Sequence, residues 1–152
     1  MPLKGLGNVK AAINRIPEQL NNDVKGVFIA GLTNIIQETP VDTGVTRNAW
    51  FLSVGAPSGA NGGRANKSGS GSVKQLAKMP KSILGKTLYF TNNRPNINTL
   101  EYGGFPTPVK QGSHIKRSKS YEKLSSGGYS KQAPGGWVRK SLILMRNKIR
   151  KL

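Results

Sequence analysis

The stretch Thr39-Pro40-Val41-Asp42-Thr43-Gly44-Val45-Thr46-Arg47-Asn48-Ala49-Trp50 decides the fold, because a helical period runs up to it and an alternating, aromatic-rich pattern leaves it. Pro40 disfavours the α conformation at Thr39 and brings no amide to a helical ladder. Asp42 and Thr43 are residues whose side chains bond nearby backbone amides, and Gly44 tolerates positive φ. The stretch therefore reads as a stop, a turn and a restart, with Trp50 as the first anchor of a sheet in the core.

Upstream, apolar residues fall at Val9, Ile13, Ile16, Leu20, Val24, Val27, Phe28, Leu32, Ile35 and Ile36, spaced by threes and fours. That is one amphipathic helix over about 8–38, or two in line. Pro17 predicts a kink or a fresh start, with Glu18 in a first turn where its charge suits the helix dipole. Ile29 and Ala30 lie off the main stripe, and Gly26 and Gly31 leave room for close approach. One face of the helix is thus expected against the protein's own sheet and another against a neighbour.

Downstream, residues 49–55 read as a strand, and residues 86–92 as a second one. Between them, residues 55–72 are mostly Gly, Ser, Asn and Ala with Arg64 and Lys67 as the charges, too little apolar surface to offset the entropy of ordering them. A flexible loop is expected there, then a short helix or turn over 73–79 ahead of Pro80. Asn66-Lys67-Ser68 fits a glycosylation sequon by chance. Gly85-Lys86-Thr87 looks like the end of a phosphate-binding loop, but the first glycine of that motif would have to be residue 80, which is Pro80. Residues 97–102 read as one helical turn ending at Gly103, followed by an extended segment through Pro108. Residues 110–131 form a second flexible loop or hairpin arm, basic through Lys110, Lys116, Arg117 and Lys119 and interleaved with Tyr121 and Tyr129. After Ala133-Pro134-Gly135-Gly136, a stripe of Val138, Leu142, Met145, Ile149 and Leu152 predicts a C-terminal amphipathic helix with a basic back.

The 152 residues suit a single domain of α+β class: a long N-terminal helix, a small mainly antiparallel β-sheet with long loops, and the C-terminal helix packed near the first. With 24 Lys and Arg against 6 Asp and Glu, the formal net charge of +18 calls for a polyanionic environment, self-repulsion, or acidic neighbours in an assembly. There is no cysteine, so disulfide scaffolds, cysteine nucleophiles and thiolate metal sites are excluded. No signal-peptide core opens the sequence and no apolar run approaches the roughly 20 residues of a membrane span, so a soluble protein made in the cytoplasm is expected, with no membrane partner.

Chemistry needs convergent groups, and the pattern offers few. The carboxylates are scattered singly, and His114, the one histidine, has no cysteine or carboxylate cluster beside it. No catalytic, metal or cofactor residues are assigned, and no small-molecule substrate is expected. Glu101, beside Tyr102, sits in a packed context and is expected to pair with Arg47 or Arg139. Arg64 and Lys67 in the first loop, and Lys110, Lys116, Arg117, Lys119, Tyr121 and Tyr129 in the second, are candidates for contact with an acidic partner or DNA. Removing either loop is expected to leave the core folded and to block assembly.

Three segments carry a family resemblance. Pro40-Val41-Asp42-Thr43-Gly44 with Arg47-Asn48-Ala49-Trp50 resembles the P-V-D-T-G-x-L-R-x-S segment of small tail-component or neck proteins of long-tailed bacteriophages, also called tail-completion or head–tail joining proteins. Leu100-Glu101-Tyr102-Gly103 resembles their hydrophobic-E-Y-G turn. Residues 133–142 resemble the P-x-G-F-V-R-x-A-L segment that opens their last helix. The chain differs in carrying Val45-Thr46 where the family has a single leucine position, and Asn93-Arg94-Pro95-Asn96 where Y-A often precedes the turn. The resemblance implies a structural virion protein, a homo-oligomeric ring, six-fold, at the head–tail junction. Its partners would be copies of itself, neighbouring neck, head-completion or tail-terminator proteins, and DNA passing through the channel. Its place would be the virion, and the host cytoplasm during assembly.

A second reading is a basic nucleic-acid-binding module, which shares the charge and the interleaved tyrosines but should concentrate its cations on one face. A toxin or small hydrolase comes third.

Overall fold

A computed structural model describes residues 6–105, 114–115, 120–121 and 127–152. In chain order the elements are α1 (Leu6–Glu38), β1 (Phe51–Val54), α2 (Ser70–Leu76), β2 (Leu88–Thr91), α3 (Ile97–Tyr102), β3 (His114–Ile115), β4 (Ser120–Tyr121) and α4 (Val138–Ile149). The architecture is α+β, as the change of period at Pro40 predicts.

The helix α1 is 33 residues long, about 50 Å at the standard rise per residue. It runs unbroken through Pro17, so the expected restart does not occur and Glu18 lies mid-helix rather than in a first turn. Residues 11–20 are exposed on every side, so water can reach the carbonyl that loses its amide partner to the proline. From Val24 onward the stripe does what periodicity predicts: Val24, Leu32, Ile35 and Ile36 enter the core. Asn21, at the start of this buried half, clamps the chain ahead of β2 to the helix. Its Nδ2 donates to Lys81 O at 2.8 Å, and its Oδ1 accepts from Ile83 N–H at 2.8 Å.

The two main strands pair antiparallel in the register Phe51 with Thr91 through Val54 with Leu88. Two short strands alone are marginal in water, and here Trp50 fastens them to the core by stacking on Phe90 with ring centroids 4.9 Å apart. The core beneath is built from Ile35, Ile36, Trp50, Leu52, Leu76, Met79, Ile83, Leu100, Trp137 and Met145. His114–Ile115 and Ser120–Tyr121 pair antiparallel as a separate small hairpin.

The helix α4 packs back along α1. Trp137 Nε1–H donates to Ile35 O at 2.9 Å, and Asn34 Nδ2 donates to Ser141 Oγ at 3.1 Å. At Gly31 a Cβ would fall inside the Met145 thioether, so the missing side chain sets the interhelical distance. Gly26, by contrast, faces open space. The buried line of α4 is Trp137, Ser141 and Met145, with Val138 and Ile149 half-buried. This corrects the stripe expected from sequence: Leu142 and Leu152 are exposed, and so are Ile143 and Leu144. Ser141 rather than Leu142 faces α1, where its hydroxyl accepts from Asn34 Nδ2.

Candidate functional site

The turn after α1 is organised by Thr39, a fully buried residue that sequence reasoning treated only as the place where the helix ends. Its hydroxyl donates to Ile35 O at 2.7 Å and accepts from Trp50 Nε1–H at 2.9 Å. Its carbonyl takes a fork from Arg47, from Nε at 3.1 Å and from Nη2 at 2.9 Å. The free carbonyls at the end of α1 are thus filled by the Thr39 hydroxyl, Arg47 and Trp137, while Trp50 donates to the Thr39 hydroxyl. Burial lowers the Arg47 pKa from its ordinary value. Gly44 has φ of +87°, and a Cβ there would strike the Asn66 backbone, so the glycine expected to need positive φ does need it.

Of Asp42 and Thr43, one is expected to bond an amide of the turn, and Thr43 does so. Thr43 Oγ1 accepts from Val45 N–H at 3.4 Å, a long bond, whereas Asp42 is exposed and makes no hydrogen bond among the described residues. Pro40 is buried, and the residue after it is held from a distance: Val41 N–H donates to Gln132 Oε1 and Gln132 Nε2 to Val41 O, both at 2.8 Å.

Glu101 is the second organising residue. It comes from α3, which Gly103 ends with its N–H on Thr99 O at 2.8 Å. The carboxylate reaches the start of α4, where Oε2 accepts from the N–H groups of Trp137 and Val138, both at 2.9 Å. Oε1 accepts from Arg139 N–H and from Arg139 Nε, both at 3.0 Å. Trp137, the residue at the N-cap, supplies no side-chain cap, so a carboxylate 36 positions away in sequence does the capping. Burial pushes the Glu101 pKa up, but the amides of Trp137, Arg139 and Val138 and the Arg139 side chain outweigh it, and the carboxyl sits below its ordinary range. Gly136, at φ +78°, lies so close to Glu101 that a Cβ would overlap it.

Of the two arginines expected for Glu101, Arg139 is the partner; Arg47 is committed to Thr39 and to Lys67 O at 2.8 Å. The Arg139 guanidinium also lies 4.7 Å over the Tyr102 ring. Its pKa is raised by the Glu101 hydrogen bond first and by Tyr129 to a lesser degree, against desolvation. Half-buried Tyr129 sits against Gly103, where a Cβ would meet its ring. The three segments singled out in the sequence therefore meet in space, at Trp50–Thr39–Ile35–Trp137–Glu101.

The first loop behaves differently from its composition. Residues 55–69 have no regular structure, yet the core supplies what the loop itself lacks. Asn48 Nδ2 holds Arg64 O at 3.1 Å, Asn48 Oδ1 accepts from Gly71 N–H at 2.7 Å, and Asn93 Nδ2 holds Ser58 O and Ala60 O at 2.9 and 2.8 Å. Ser72 is fully buried, linking Trp50 N–H and Arg47 O, and α2 begins at Ser70 rather than after it. Arg64 and Lys67 are exposed and contribute backbone carbonyls to these bonds. Residues 58–70 are thus tied to the core through Arg47, Asn48 and Asn93. Lys110, Lys116, Arg117 and Lys119 lie outside the described residues, and Tyr121 is placed only as part of the β4 backbone.

An open cleft of about 370 Å³ lies between the end of α1 and the start of α4, lined among others by Glu38, Arg47, Gln132, Pro134 and Lys140. The Lys140 ammonium donates to Pro134 O at 3.1 Å, and Arg47 is committed as above, so the cleft holds no free pair of acid and base. Among the described residues no group of three or more His, Asp or Glu could hold a metal ion, and no helix is long and apolar enough to cross a membrane. What remains as candidate functional surface is apolar and exposed. On α1 it is Ile13, Ile16 and Leu20; on α4 it is Leu142, Ile143 and Leu144, among Arg139, Lys140, Arg146, Lys148 and Arg150.

Comparison with family models, with curated proteins and with solved structures gives no match to this chain.

Proposed function

We propose that this protein is a structural subunit of a tailed-bacteriophage virion that builds a homo-oligomeric ring at the head–tail junction, joining the tail to the capsid connector and lining the DNA path. The observation that carries the reading is the exposed first half of α1, where Ile13 and Ile16 keep 59% and 66% of their surface in water on the same stripe that is core from Val24 onward. A helix that extends its apolar stripe past its own domain is built for a neighbour. The resemblance of the three segments to tail-completion and neck proteins names the assembly, and the charge of +18 suits a place beside packaged DNA or acidic rings. Negative-stain imaging of the purified chain tests the reading: closed rings with a central channel are expected, and a monomer at every concentration overturns it.

The outer face of α4 supports the alternative of a nucleic-acid-binding module, because Arg139, Arg146 and Arg150 share one side. Steeply salt-dependent binding of random duplex by the monomer, without ring formation, is the outcome that favours it.

A further inference from the structure

We propose that the ring closes head to tail through one contact: the exposed first half of α1 of each subunit lies on the outer face of α4 of the next. This rests on the ring reading above and names the surfaces that build it.

The two patches are on different parts of the molecule and cannot cover each other. Along α4, Trp137 meets Ile35, Ser141 meets Asn34, and Met145 meets Gly31, so the two helices are antiparallel. Half-buried Ile149 ends this pairing. Beyond it α1 continues alone, and residues 11–20 carry it about 15 Å further with every side exposed. Ile13, Ile16 and Leu20 follow the spacing that places them in line with Val24 and Val27, so the overhang continues the face α1 uses against its own α4. A second helix presented to that overhang would extend a packing mode the molecule already has.

The outer face of α4 offers such a helix. Leu142, Ile143 and Leu144 are 50%, 53% and 58% exposed; Ile143 points outward, opposite the buried line, and Leu142 and Leu144 flank it on either side. Charge selects between the possible pairings. From Val138 to Leu152 there are six Lys and Arg and no acidic residue, so α4 repels a copy of itself. The overhang is edged by Asp23, three residues after Leu20 and seven after Ile16, while Arg15 and Glu18 fall on the opposite side. A basic apolar face therefore meets an apolar stripe bordered by a carboxylate. Because the patches differ, the contact is heterologous and repeats around a ring, or along a filament where the rotation does not close.

The test uses the full chain and two substitutions at exposed positions, Ile16→Glu and Ile143→Glu, each checked by thermal melting for an unchanged fold. By sedimentation velocity, each alone should raise the concentration for half-assembly about tenfold or more, the factor expected for losing one buried aliphatic side chain. Mixed together, the two variants should form a 1:1 dimer and nothing larger, since the first retains an intact α4 face and the second an intact overhang. Asp23→Lys should weaken assembly and Glu18→Lys should not. Assembly lost with Ile16→Glu but kept with Ile143→Glu would mean that overhangs pair with each other and would overturn the proposal. So would a mixture that stays monomeric, or an α4 face whose substitution changes only binding of duplex DNA. Wild-type rings insensitive to both substitutions would overturn this contact and leave the ring standing, whereas a wild type that never assembles overturns both.

Discussion

Glu101 offers the sharpest test of the internal architecture. Replacing it with alanine leaves the buried Trp137 N–H without an acceptor, a loss of about 1–3 kcal/mol, and removes the cap of α4, worth about 1 kcal/mol more. The N–H groups of Val138 and Arg139 are only part-buried and can turn to water, and the Arg139 side chain is half-exposed, so they add little. The expected cost of Glu101→Ala is therefore about 2–4 kcal/mol, a large share of the roughly 5–15 kcal/mol that stabilises an ordinary domain. Glu101→Gln keeps one acceptor oxygen but turns an NH₂ group toward amide donors, and should cost about half as much.

The pH dependence separates a charged cap from a packing defect. The folded-state pKa of Glu101 lies below its unfolded value, so its contribution is complete above the ordinary carboxyl range and is lost as pH falls through the folded pKa. Urea unfolding of wild type and Glu101→Gln at pH 7, and again in steps below pH 5, should show a gap that narrows as the wild-type carboxyl takes up its proton. A gap that is constant over the whole range would mean that the lost stability is steric and would refute the assignment of Glu101 as an ionised cap.

Three further outcomes are expected. Trp50→Ala should cost about 3–5 kcal/mol in denaturant unfolding, since it removes a buried ring stacked on Phe90 and the partner of Thr39; a small loss would place the ring outside the core. Gly31→Ala should cost about 1–3 kcal/mol by forcing Met145 out of the α1–α4 contact, and Met145→Ala in the same chain should recover part of that loss, a coupling read from a double-mutant cycle. Asn48→Ala should leave the melting of α1 and α4 together while raising amide exchange across 64–72, because one side chain holds Arg64 O, Gly71 N–H and Ser72 N–H; unchanged exchange would show that the loop is held elsewhere.

Elements were legible where the cause is local. The period of Val24 to Ile36, the break at Pro40, the strand after Trp50 and the glycine stop at Gly103 each follow from residues within one turn or strand, and each lies where the pattern puts it. What was not legible depends on partners far along the chain. A glycine-rich composition says that 55–69 cannot order itself, but not that Asn48, Asn93 and Arg47 will hold it. The apolar spacing of α4 favoured Leu142 over Ser141, and the partner that marks Ser141 as the buried position, Asn34, lies more than a hundred residues earlier in the chain. For Glu101 the sequence narrowed the partner to two arginines, while its main task, capping a helix 36 residues away, carried no local signal because Trp137 is a poor cap residue.

The segments with the most recognisable sequence are also the ones whose polar groups are consumed inside the molecule. Thr39, Arg47, Glu101 and Trp137 spend their hydrogen bonds on the end of α1 and the start of α4, which leaves little of them to offer another protein. In the proposed ring, surfaces for a neighbour come from residues with no internal task, and among the described residues these include the overhang at 11–20 and the outer side of α4. The division has a consequence for mutagenesis. Changes in the three motifs should lower stability and reduce assembly only in proportion to the unfolded fraction, whereas changes at Ile16 or Ile143 should leave stability intact and act on association alone. A motif substitution that abolished assembly in a fully folded chain would break that separation, and would move the contact surface from the helix faces to the Glu101–Arg139–Tyr102 corner.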